Sequence, residues 1–291
     1  MNRTSRARPD TTAIGAQHDD AGGAVPPDPG PPNRGAVRPR TTPPTRVEEL
    51  PPLPAEFDRT VDAGLASLSL ELSGTQRRLL ADHARLLVAW TRSVNLTAIR
   101  DPEAIARLHV LDSLGGVPLL RRLGADRFLD IGSGGGYPGL VLAVATPADA
   151  RLVDSIGKKA TFLETAVAAL GLGDRVAIDR RRVEDVAVEP SQRERWPAVT
   201  ARAVGSLAEL VELAFPLLRS GGVLLAWKRD PGAAELGAAR RAMRALGGGS
   251  LDVHHQGLAA LPGHVIVALT KASPTPDGFP RDPARRKRRP W

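Results

Sequence analysis

The stretch that decides the fold of this chain is Arg127-Phe128-Leu129-Asp130-Ile131-Gly132-Ser133-Gly134-Gly135-Gly136-Tyr137-Pro138-Gly139. Its first part, up to Ile131, is a short, mainly apolar run with the length of a buried strand. Four glycines follow within five residues, and the apolar residues after Pro138 indicate the start of a helix. Glycine is needed where φ is positive or where a ligand touches the main chain. We therefore predict a strand, a glycine turn with free N–H groups at a helix N-terminus, and a nucleotide-type cofactor there.

The spacing of these glycines fits two cofactor patterns. Gly134-x-Gly136-x-x-Gly139 fits the dinucleotide pattern, which is unspecific by itself. Asp130-x-Gly132-x-Gly134-x-Gly136 fits a pattern in which an acid ends the strand, and it resembles the first motif of S-adenosylmethionine-dependent methyltransferases. A carboxylate suits a ligand with an ammonium group better than one with a pyrophosphate. The motif therefore favours S-adenosylmethionine at Asp130, Gly132, Gly134 and Gly136, with NAD and a ligand-free glycine turn as alternatives.

The composition indicates a globular protein of the cytoplasm. Hydrophobic residues make up 42% of the chain, enough for a sizeable core, and cysteine is absent. The chain therefore has no disulfide, no thiolate metal site and no cysteine nucleophile, which is compatible with a reducing compartment. No apolar run approaches the length of a membrane span, and the polar N-terminus lacks the apolar part of a secretory signal. We predict no membrane partner and no bound metal.

The net charge of +8 is concentrated near the C-terminus. Residues 271–291 contain seven Lys or Arg against two acids, a charge of +5, whereas residues 1–54 contain seven Arg against six acids, a charge of +1. A nearly neutral globule with a basic tail suggests a polyanionic partner that the tail reaches. The alternative is a terminal run of charges that only meets solvent.

The chain divides into four predicted segments. Residues 1–54 contain proline clusters and few apolar residues, which predicts a disordered tail. Residues 55–124 form a helical segment, in which Ser73 and Asp101-Pro102 predict helix starts. Residues 125–272 form the methyltransferase domain, and residues 273–291 form a basic tail.

Strands and helices alternate from residue 126 onward. The predicted strands lie near 127–131, 151–154, 175–179, 197–201, 222–228 and 264–270, with another near 250–254, and the predicted helices cover 138–146, 158–171, 206–219 and 232–246. This alternation predicts an α/β fold with a mainly parallel sheet and helices on both faces. Together with the glycine motif, it predicts a Rossmann-like S-adenosylmethionine-dependent methyltransferase sheet with an N-terminal helical extension. Ligands of such sheets bind at the carboxyl ends of the strands.

Asp154 ends the second predicted strand, about twenty residues after the glycine turn. An acid at this position commonly accepts hydrogen bonds from the ribose hydroxyls of an adenosine cofactor; a loop acid without a partner is the alternative. Lys158 and Lys159 follow on a helix near the same cleft. They are placed either to meet a phosphate backbone or to face solvent.

Two further segments follow strand ends. Val183 is placed to pack on an adenine ring, and the carboxylate of Glu184 or Asp185 is placed to accept a hydrogen bond from its amino group. Arg202 follows the fourth strand, where the reacting substrate of such a sheet usually arrives. It is a candidate contact to cofactor, RNA phosphate or target base, with a surface salt bridge as the alternative.

These motifs together resemble the bacterial small-subunit (16S) rRNA guanine-N7 methyltransferase family, also called glucose-inhibited division protein B. The similarity covers about residues 73–281, and its most specific part precedes the glycine turn. The segments that carry it are Asn95–Pro102, His109–Leu114, Asp130–Gly139, Leu152–Ser155 with Lys158-Lys159, Thr200–Ala203, Trp227-Lys228 after Gly221-Gly222, and Thr275-Pro276 with Phe279–Arg281.

The resemblance implies methyl transfer from S-adenosylmethionine to N7 of a guanine in small-subunit rRNA, either free or in an assembling 30S subunit, by a monomeric enzyme. The cofactor contacts that it implies are Gly132, Tyr137, Val183, Glu184 and Arg202. The candidates for contact with rRNA are Arg100, His109, Lys158, Lys159, Lys228 and Arg281. The sequence departs from the family in its N-terminal extension and at Asp282, where a second basic residue is common.

Guanine N7 has a lone pair and no proton, so its methylation needs no general base. We assign no acid or base, and we expect Arg202 to position the reactants. The N7 edge is inaccessible within an RNA helix, so the target is expected in a loop or outside its stack. An NAD(P)-dependent oxidoreductase and a nonenzymatic RNA-binding protein on the same fold are the alternatives. The first lacks an evident proton-donating pair, and the intact glycine turn with Asp154 disfavours the second.

Overall fold

The structure is a computed structural model, and it describes residues 43–291. The strands of this part of the chain form one sheet in the order β3-β2-β1-β4-β5-β7-β6, in which β1 to β5 are parallel and β7 runs antiparallel to both of its neighbours. The strands are β1 Arg127–Ile131, β2 Asp149–Val153, β3 Val176–Asp179, β4 Trp196–Arg202, β5 Leu218–Arg229, β6 Leu251–His255 and β7 His264–Thr270.

Helices cover both faces of this sheet, and five of them connect consecutive strands. Helix α6 is buried along its whole length because the helices before β1 cover its outer side. The helices are α1 Ala55–Leu68, α2 Gly74–Thr91, α3 Pro102–Ile105, α4 Asp112–Leu114, α5 Val117–Leu123, α6 Gly139–Ala145, α7 Gly157–Ala169, α8 Val183–Val188, α9 Leu207–Ala214, α10 Ala233–Leu246 and α11 Pro283–Arg288. Within residues 43–291, every helix is too short or too polar to cross a membrane.

The strand order places the ligand-binding crevice. The chain leaves β1 for β2 and β3 on one side and then returns to β4 on the other side, so the direction of winding reverses between β1 and β4. Parallel sheets bind ligands outside the carboxyl ends of their strands at such a reversal. The glycine turn follows β1 at this point, and Arg202 ends β4 beside it.

The helices before the sheet begin at the predicted capping residues. Ser73 accepts a hydrogen bond from the N–H of Gln76, whose side chain accepts one from the Ser73 N–H in return, forming a capping box. Asp101 accepts from Ala104 N–H at 2.7 Å, with Pro102 in the first helical position. The Gln76 side chain also donates to Val144 O at 2.9 Å, which ties α2 to α6.

Two predicted elements differ from the structure. The helix expected over 206–219 ends at Ala214, because Pro216 lacks the N–H that would continue the helical hydrogen bonds, and β5 begins at Leu218. Val183 to Val188 form helix α8 where a loop was expected.

The segments beside the domain also pack more closely than predicted. Residues 1–42 of the predicted disordered tail lie outside the described residues. From residue 44 the chain contacts α2, where Trp90 donates to Pro44 O and Arg85 donates to Pro51 O. At the other end, residues 273–291 lie along the domain, since Arg193 donates to the carbonyls of Thr275 and Phe279. The described residues before the predicted boundary at 54 and those after the predicted boundary at 273 therefore both contact the domain.

Candidate active site

Two cavities meet at the carboxyl ends of the parallel strands. The first, here called the Arg202 cavity, has a volume of about 630 Å³ and lies between the glycine turn, the end of β4 and the π-helical turn that precedes α4. The second, here called the Glu184 cavity, has a volume of about 340 Å³ and lies between β2, α8 and α11. Gly132, Lys159 and Ala203 line both cavities, so the two form one cleft with two lobes.

The main-chain N–H groups of the glycine turn are largely used inside the protein. Gly132 and Ser133 both donate to Val153 O, at 2.8 and 3.2 Å, and Gly136 donates to Ser133 O at 2.7 Å. Gly134 donates to Asp154 Oδ2 at 2.8 Å. The prediction of free N–H groups was therefore wrong for these four residues. A turn that has used its donors is poorly suited to a pyrophosphate, whereas its carbonyl oxygens suit an ammonium group.

The glycines of the turn differ in what they do. Gly132, Gly134 and Gly136 have φ of +66°, +54° and +84°, values that L side chains rarely adopt. Gly132 and Gly134 line the Arg202 cavity. Gly136 lies behind the turn, where a Cβ would come within 2.8 Å of Leu140 and His83, so it has a packing role there. The contact of these glycines with the cofactor stays a prediction.

Asp130 also lies behind the turn. Its side chain is fully buried, Oδ1 accepts from the Thr200 hydroxyl at 2.6 Å, and a Cβ on Gly139 would lie 2.7 Å from Oδ2. Burial raises the pKa of Asp130 to about 6 against the hydrogen bond from Thr200, which lowers it. The carboxylate lines neither cavity. The Asp130 side chain therefore joins β1 to β4 beneath the turn, and its contact with a ligand ammonium group stays a prediction.

Asp154 connects the glycine turn to the Glu184 cavity. It is buried at the end of β2, and its Oδ1 accepts from Ile156 N–H at 2.9 Å while Oδ2 accepts from Gly134. The residue lines the Glu184 cavity, which keeps the carboxylate beside the space where ribose hydroxyls are expected. Asp154 therefore shapes the turn as well as facing the cleft.

The far wall of the Glu184 cavity comes from α8. Val183 and Glu184 line it, whereas Asp185 is exposed and does not. Glu184 Oε1 accepts a hydrogen bond from Arg286 of α11 and one from Arg182 at 3.4 Å. Burial raises the pKa of Glu184, but the hydrogen bond and charge of Arg286, together with hydrogen bonds from its own main chain and from Arg182, outweigh burial and hold the pKa below its usual range.

The Arg202 cavity is organised by an ion pair between β4 and the helical segment. Arg202 Nη1 donates to Asp112 Oδ2 at 3.0 Å and to Leu108 O at 2.9 Å. The guanidinium also lies 5.5 Å from the centre of the Tyr137 ring. Both charged side chains are largely buried, with 16% and 5% of Arg202 and Asp112 exposed. Arg202 is thus fixed in place in the wall of the Arg202 cavity, next to Ala203, which lines both lobes.

Asp112 is the centre of a wider network. Its Oδ1 accepts from His264 Nδ1 at 3.0 Å and from Gln256 Nε2 at 2.9 Å, and its main-chain carbonyl accepts from Trp227 Nε1 at 2.7 Å. Burial raises the pKa of Asp112, but its bonds to His264 and Arg202 outweigh this and hold the pKa low. Because an ionised carboxylate only accepts, His264 donates from Nδ1, and Nε2 of a neutral ring keeps a lone pair.

Both ring nitrogens of His109 have partners within the protein. Arg202 Nη2, which can only donate, lies 3.1 Å from Nδ1, and the carbonyl oxygen of Leu108, which can only accept, lies 3.2 Å from the same nitrogen. Nε2 lies 2.8 Å from Thr97 Oγ1. Burial first, and then the charge of Arg202, lowers the pKa of His109 to about 4. Both ring nitrogens of this predicted RNA contact are therefore occupied within the protein.

Tyr137 lies between two imidazole rings. His83 and His109 stack on it, with ring centres 4.5 and 4.8 Å from the tyrosine ring. The phenol oxygen is buried without a hydrogen-bond partner among the described residues, and burial raises the pKa of the phenol. Tyr137 lines the Arg202 cavity, as its predicted cofactor contact requires.

The remaining residues predicted to contact RNA differ in how exposed their side chains are. Arg100 and Lys158 are exposed, and Lys159 is partly buried between the two lobes. Lys228 is only 16% exposed, pairs with Glu235 at 2.7 Å and donates to Gly205 O. Arg281 pairs with the fully buried Glu212. The last two side chains thus make internal contacts that the sequence did not indicate.

Three residues of the cleft were not singled out as site residues from the sequence. Asp112 appeared only inside a motif, and His264 and Arg286 appeared only as parts of a strand and a basic run. Each contacts a residue of the cleft that lies 90 or more residues away along the chain. The polar residue at the start of an apolar strand was the one signal for His264; a run of like charges gives no signal that one member points inward.

The observed groups fit S-adenosylmethionine. The glycine turn has used its donors and keeps acceptors, a buried acid follows β2, and an acid of α8 lines the second lobe. With a sheet that reverses between β1 and β4 and in which an antiparallel β7 is inserted between β5 and β6, these features define an S-adenosylmethionine-dependent methyltransferase. Residues 76–260 match the family described as rRNA small subunit methyltransferase G.

Curated relatives extend this match over most of the chain. The protein named Ribosomal RNA small subunit methyltransferase G is 45% identical in Chloroflexus aggregans, over 69% of this chain and 85% of the relative. Its namesakes from Roseiflexus castenholzii and Desulfitobacterium hafniense are 40% and 39% identical, over 74% of this chain and 92% and 89% of their own lengths. The chain therefore belongs to the rRNA small subunit methyltransferase G family.

Proposed function

We propose that this chain transfers a methyl group from S-adenosylmethionine to N7 of a guanine in small-subunit ribosomal RNA. The names of the relatives support the RNA substrate. The N7 acceptor follows from the resemblance of the motifs around Asn95, His109 and the glycine turn to the guanine-N7 family. A cytoplasmic monomer acting on the free RNA or on an assembling 30S subunit completes the proposal.

The observation that carries this function is the position of Arg202. It lies in the wall of the first lobe, next to Ala203, which lines both lobes, and it is held by Asp112, Leu108 and His109 at the carboxyl end of the strand beside the glycine turn. A group fixed by three partners can hold two reactants in line without rearranging, which lowers the barrier by several kcal/mol. Arg202 is therefore the positioning residue between cofactor and acceptor.

The residues of the second lobe would hold the cofactor. Asp154 is placed for the ribose hydroxyls, Val183 and Glu184 for the adenine, and the carbonyl oxygens of Gly132 and Gly134 for the ammonium end. S-Adenosylmethionine supplies an electrophilic methyl group on a sulfonium. Tyr137 and the glycine turn keep water away from one side of the lobe that receives the base.

Guanine N7 attacks through a lone pair, so no residue has to remove a proton. His109 cannot act as a base, because both its nitrogens are occupied. The free Nε2 of His264 is then an acceptor suited to a donor on the guanine edge, such as N1–H. The target base has to leave its stack to reach this lobe, since the N7 edge is closed within an RNA helix.

One observation favours a second acceptor. His264 donates to Asp112, an arrangement that is also used to orient a general base. A His264 that took up a proton would permit methylation of a ribose hydroxyl at the same cleft. The two possibilities differ in whether the acceptor brings a proton, and therefore in their response to a base analogue.

A small-subunit RNA in which 7-deazaguanine replaces the target guanine tests the acceptor atom. The analogue keeps its shape and Watson–Crick edge, but carbon replaces N7. Methyl transfer at that nucleotide should disappear while RNA affinity changes little, since phosphate contacts supply most of it. Continued labelling at that nucleotide would reject N7 in favour of a hydroxyl. Calorimetric titration with S-adenosylmethionine, and with NAD as a comparison, checks the cofactor independently.

A further inference from the structure

The C-terminal segment, residues 279–291, is attached to α9 by a buried carboxylate. Glu212 is fully buried, and both of its oxygens accept from Arg281, which also donates its main-chain N–H. Trp291 Nε1 donates to the same carboxylate at 2.7 Å. The Arg281 guanidinium lies 4.7 Å from the centre of the Trp291 ring. These contacts join the first part and the last residue of the segment to one point on the domain.

This attachment fixes which side of α11 faces the protein. Arg285, Lys287, Arg288 and Arg289 are exposed, whereas 11% of the Arg286 side chain is exposed. Arg286 therefore differs from its basic neighbours, because it points toward the cleft while they face solvent. Only the four exposed side chains of this basic run are accessible to a polyanion, whereas Arg286 is used within the protein.

Arg286 reaches the Glu184 cavity and lines it. Its Nη2 donates to Glu184 Oε1, the same oxygen that accepts from Arg182, and its Nη1 donates to Arg281 O at 2.7 Å. The guanidinium is thereby held at both ends. Its bond to one carboxylate oxygen sets the plane of the Glu184 carboxylate and leaves Oε2 to accept from a ligand.

We propose that Arg286 is a positioning residue of the cofactor site, which orients Glu184 so that Oε2 accepts a hydrogen bond from the adenine amino group. The C-terminal segment is then a wall of the adenosine lobe and not only an arm for RNA. This inference rests on the proposed function, since it takes the Glu184 cavity to be the adenosine lobe. It adds a residue that lies outside the family match at 76–260.

The test uses the full chain without RNA and S-adenosylhomocysteine as the titrated ligand. Arg286→Ala should raise its dissociation constant about ten-fold, the size of one charge-assisted hydrogen bond. Lys287→Ala, which removes the same charge from the exposed side of the same helix, should leave it within about two-fold. Arg286→Lys should recover part of the affinity, because an ammonium still pairs with Glu184 but cannot also hold Arg281 O.

A double-mutant cycle separates positioning from a general disruption of structure. In a Glu184→Gln background, Arg286→Ala should change the affinity little further, because the group that it orients is altered. S-Inosylhomocysteine, in which oxygen replaces the adenine amino group, should bind the parent and Arg286→Ala proteins about equally. Additive effects in the cycle, or equal weakening of the adenosine and inosine ligands, would overturn the role of Arg286.

Binding of S-adenosylhomocysteine by the parent protein tests the proposed cofactor site separately from the role of Arg286. Binding of S-adenosylhomocysteine by the parent chain with unchanged affinity in Arg286→Ala rejects the positioning role and leaves the cofactor assignment intact. Lack of binding by the parent chain rejects the cofactor site itself, and the positioning role with it.

Discussion

An arginine–carboxylate pair lies in the wall of each lobe of the cleft. The two pairs differ in which partner belongs to the sheet domain and which comes from a segment outside it. In the Arg202 cavity the arginine belongs to the sheet and the carboxylate, Asp112, comes from the helical segment before it. In the Glu184 cavity the carboxylate belongs to the sheet domain and the arginine, Arg286, comes from the segment after it. Chain segments from both sides of the methyltransferase sheet therefore complete the site.

The difference lies in what each pair leaves free. Asp112 is bound by three side chains, so Arg202 is rigid and its charge is partly neutralised. Both donors to Glu184 reach the same oxygen, which leaves the other one for a ligand. We therefore expect changes in the Arg202 cavity to act on turnover and changes in the Glu184 cavity to act on cofactor affinity.

The sharpest test of this division is Arg202→Ala. Removal of the fixed guanidinium should lower kcat about a hundred-fold, because misplacement of about 1 Å can have that effect. The affinity for S-adenosylhomocysteine should change much less. Arg244→Ala, an exposed arginine in the last turn of α10, serves as the control and should retain full turnover.

Asp112→Asn examines the same lobe through its carboxylate. It keeps the size of the side chain but removes the charge that holds Arg202 and His264, so turnover should fall in the same direction by a smaller factor. A fall in cofactor affinity with normal turnover in either variant would contradict the division between the lobes.

Asp154→Ala should lower cofactor affinity, in contrast to the changes in the Arg202 cavity, which should lower turnover. Removal of a charged hydrogen-bonding partner should weaken S-adenosylmethionine by on the order of 1–3 kcal/mol, as measured by calorimetric titration. The structure adds a second cause, since Gly134 is then without the acceptor that fixes the turn. Asp154→Asn keeps an acceptor for Gly134 and should weaken binding less. Unchanged affinity in Asp154→Ala would remove this residue from the site.

The buried histidines and Asp130 around the glycine turn should change the stability of the protein with pH in opposite directions. Burial lowers the pKa of His83 and of His109 to about 4, below the unfolded value of 6.5, so the unfolded chain binds more protons and stability falls as the pH drops from 6.5 toward 4. Asp130, with its pKa raised to about 6, opposes this, because it gains a proton in the folded state first. Together these three groups should contribute a decrease in stability of about 1 kcal/mol per pH unit near pH 5.

Urea unfolding at pH 5 and 7 measures this effect. Asp130→Asn removes the opposing proton and should make the decrease on acidification steeper, whereas His255→Gln, at an exposed position, should not change it. Equal pH dependence for the parent and Asp130→Asn would show that Asp130 stays ionised in the fold.

The smallest expected effect concerns the exposed side of α11. Lys287→Ala and Arg288→Ala together should make the plot of log RNA affinity against log salt less steep, by roughly 0.7–0.9 for each phosphate that the protein no longer neutralises. Point changes are better than truncation at residue 281, because truncation leaves Glu212 buried without Arg281. A slope equal to that of the parent protein would show that this side of the helix does not meet RNA.

Parts of the site could be predicted because they depend on neighbouring residues. The glycine turn, the cap at Asp101 and the acid after β2 are local patterns, and the structure has each of them. The same motif did not show that Asp130 and Gly136 lie behind the turn, since a repeat of glycines does not say which members face the ligand. Their orientation depends on His83, Leu140 and Thr200, which arrive from other elements.

The sequence by itself determined the alternation of strands and helices, the place of the cofactor turn and the membership of a methyltransferase family. The first two follow from hydrophobic periodicity and from glycines at positive φ, which are properties of short segments, and the third follows from the resemblance of the motifs. Only the tertiary structure decided that Asp112 holds Arg202, that Arg281 is used internally and that Arg286 alone of its basic run enters the cleft. The physical reason is that a charge is placed by the partners that bury it, and these partners lie 69 to 102 residues away along the chain.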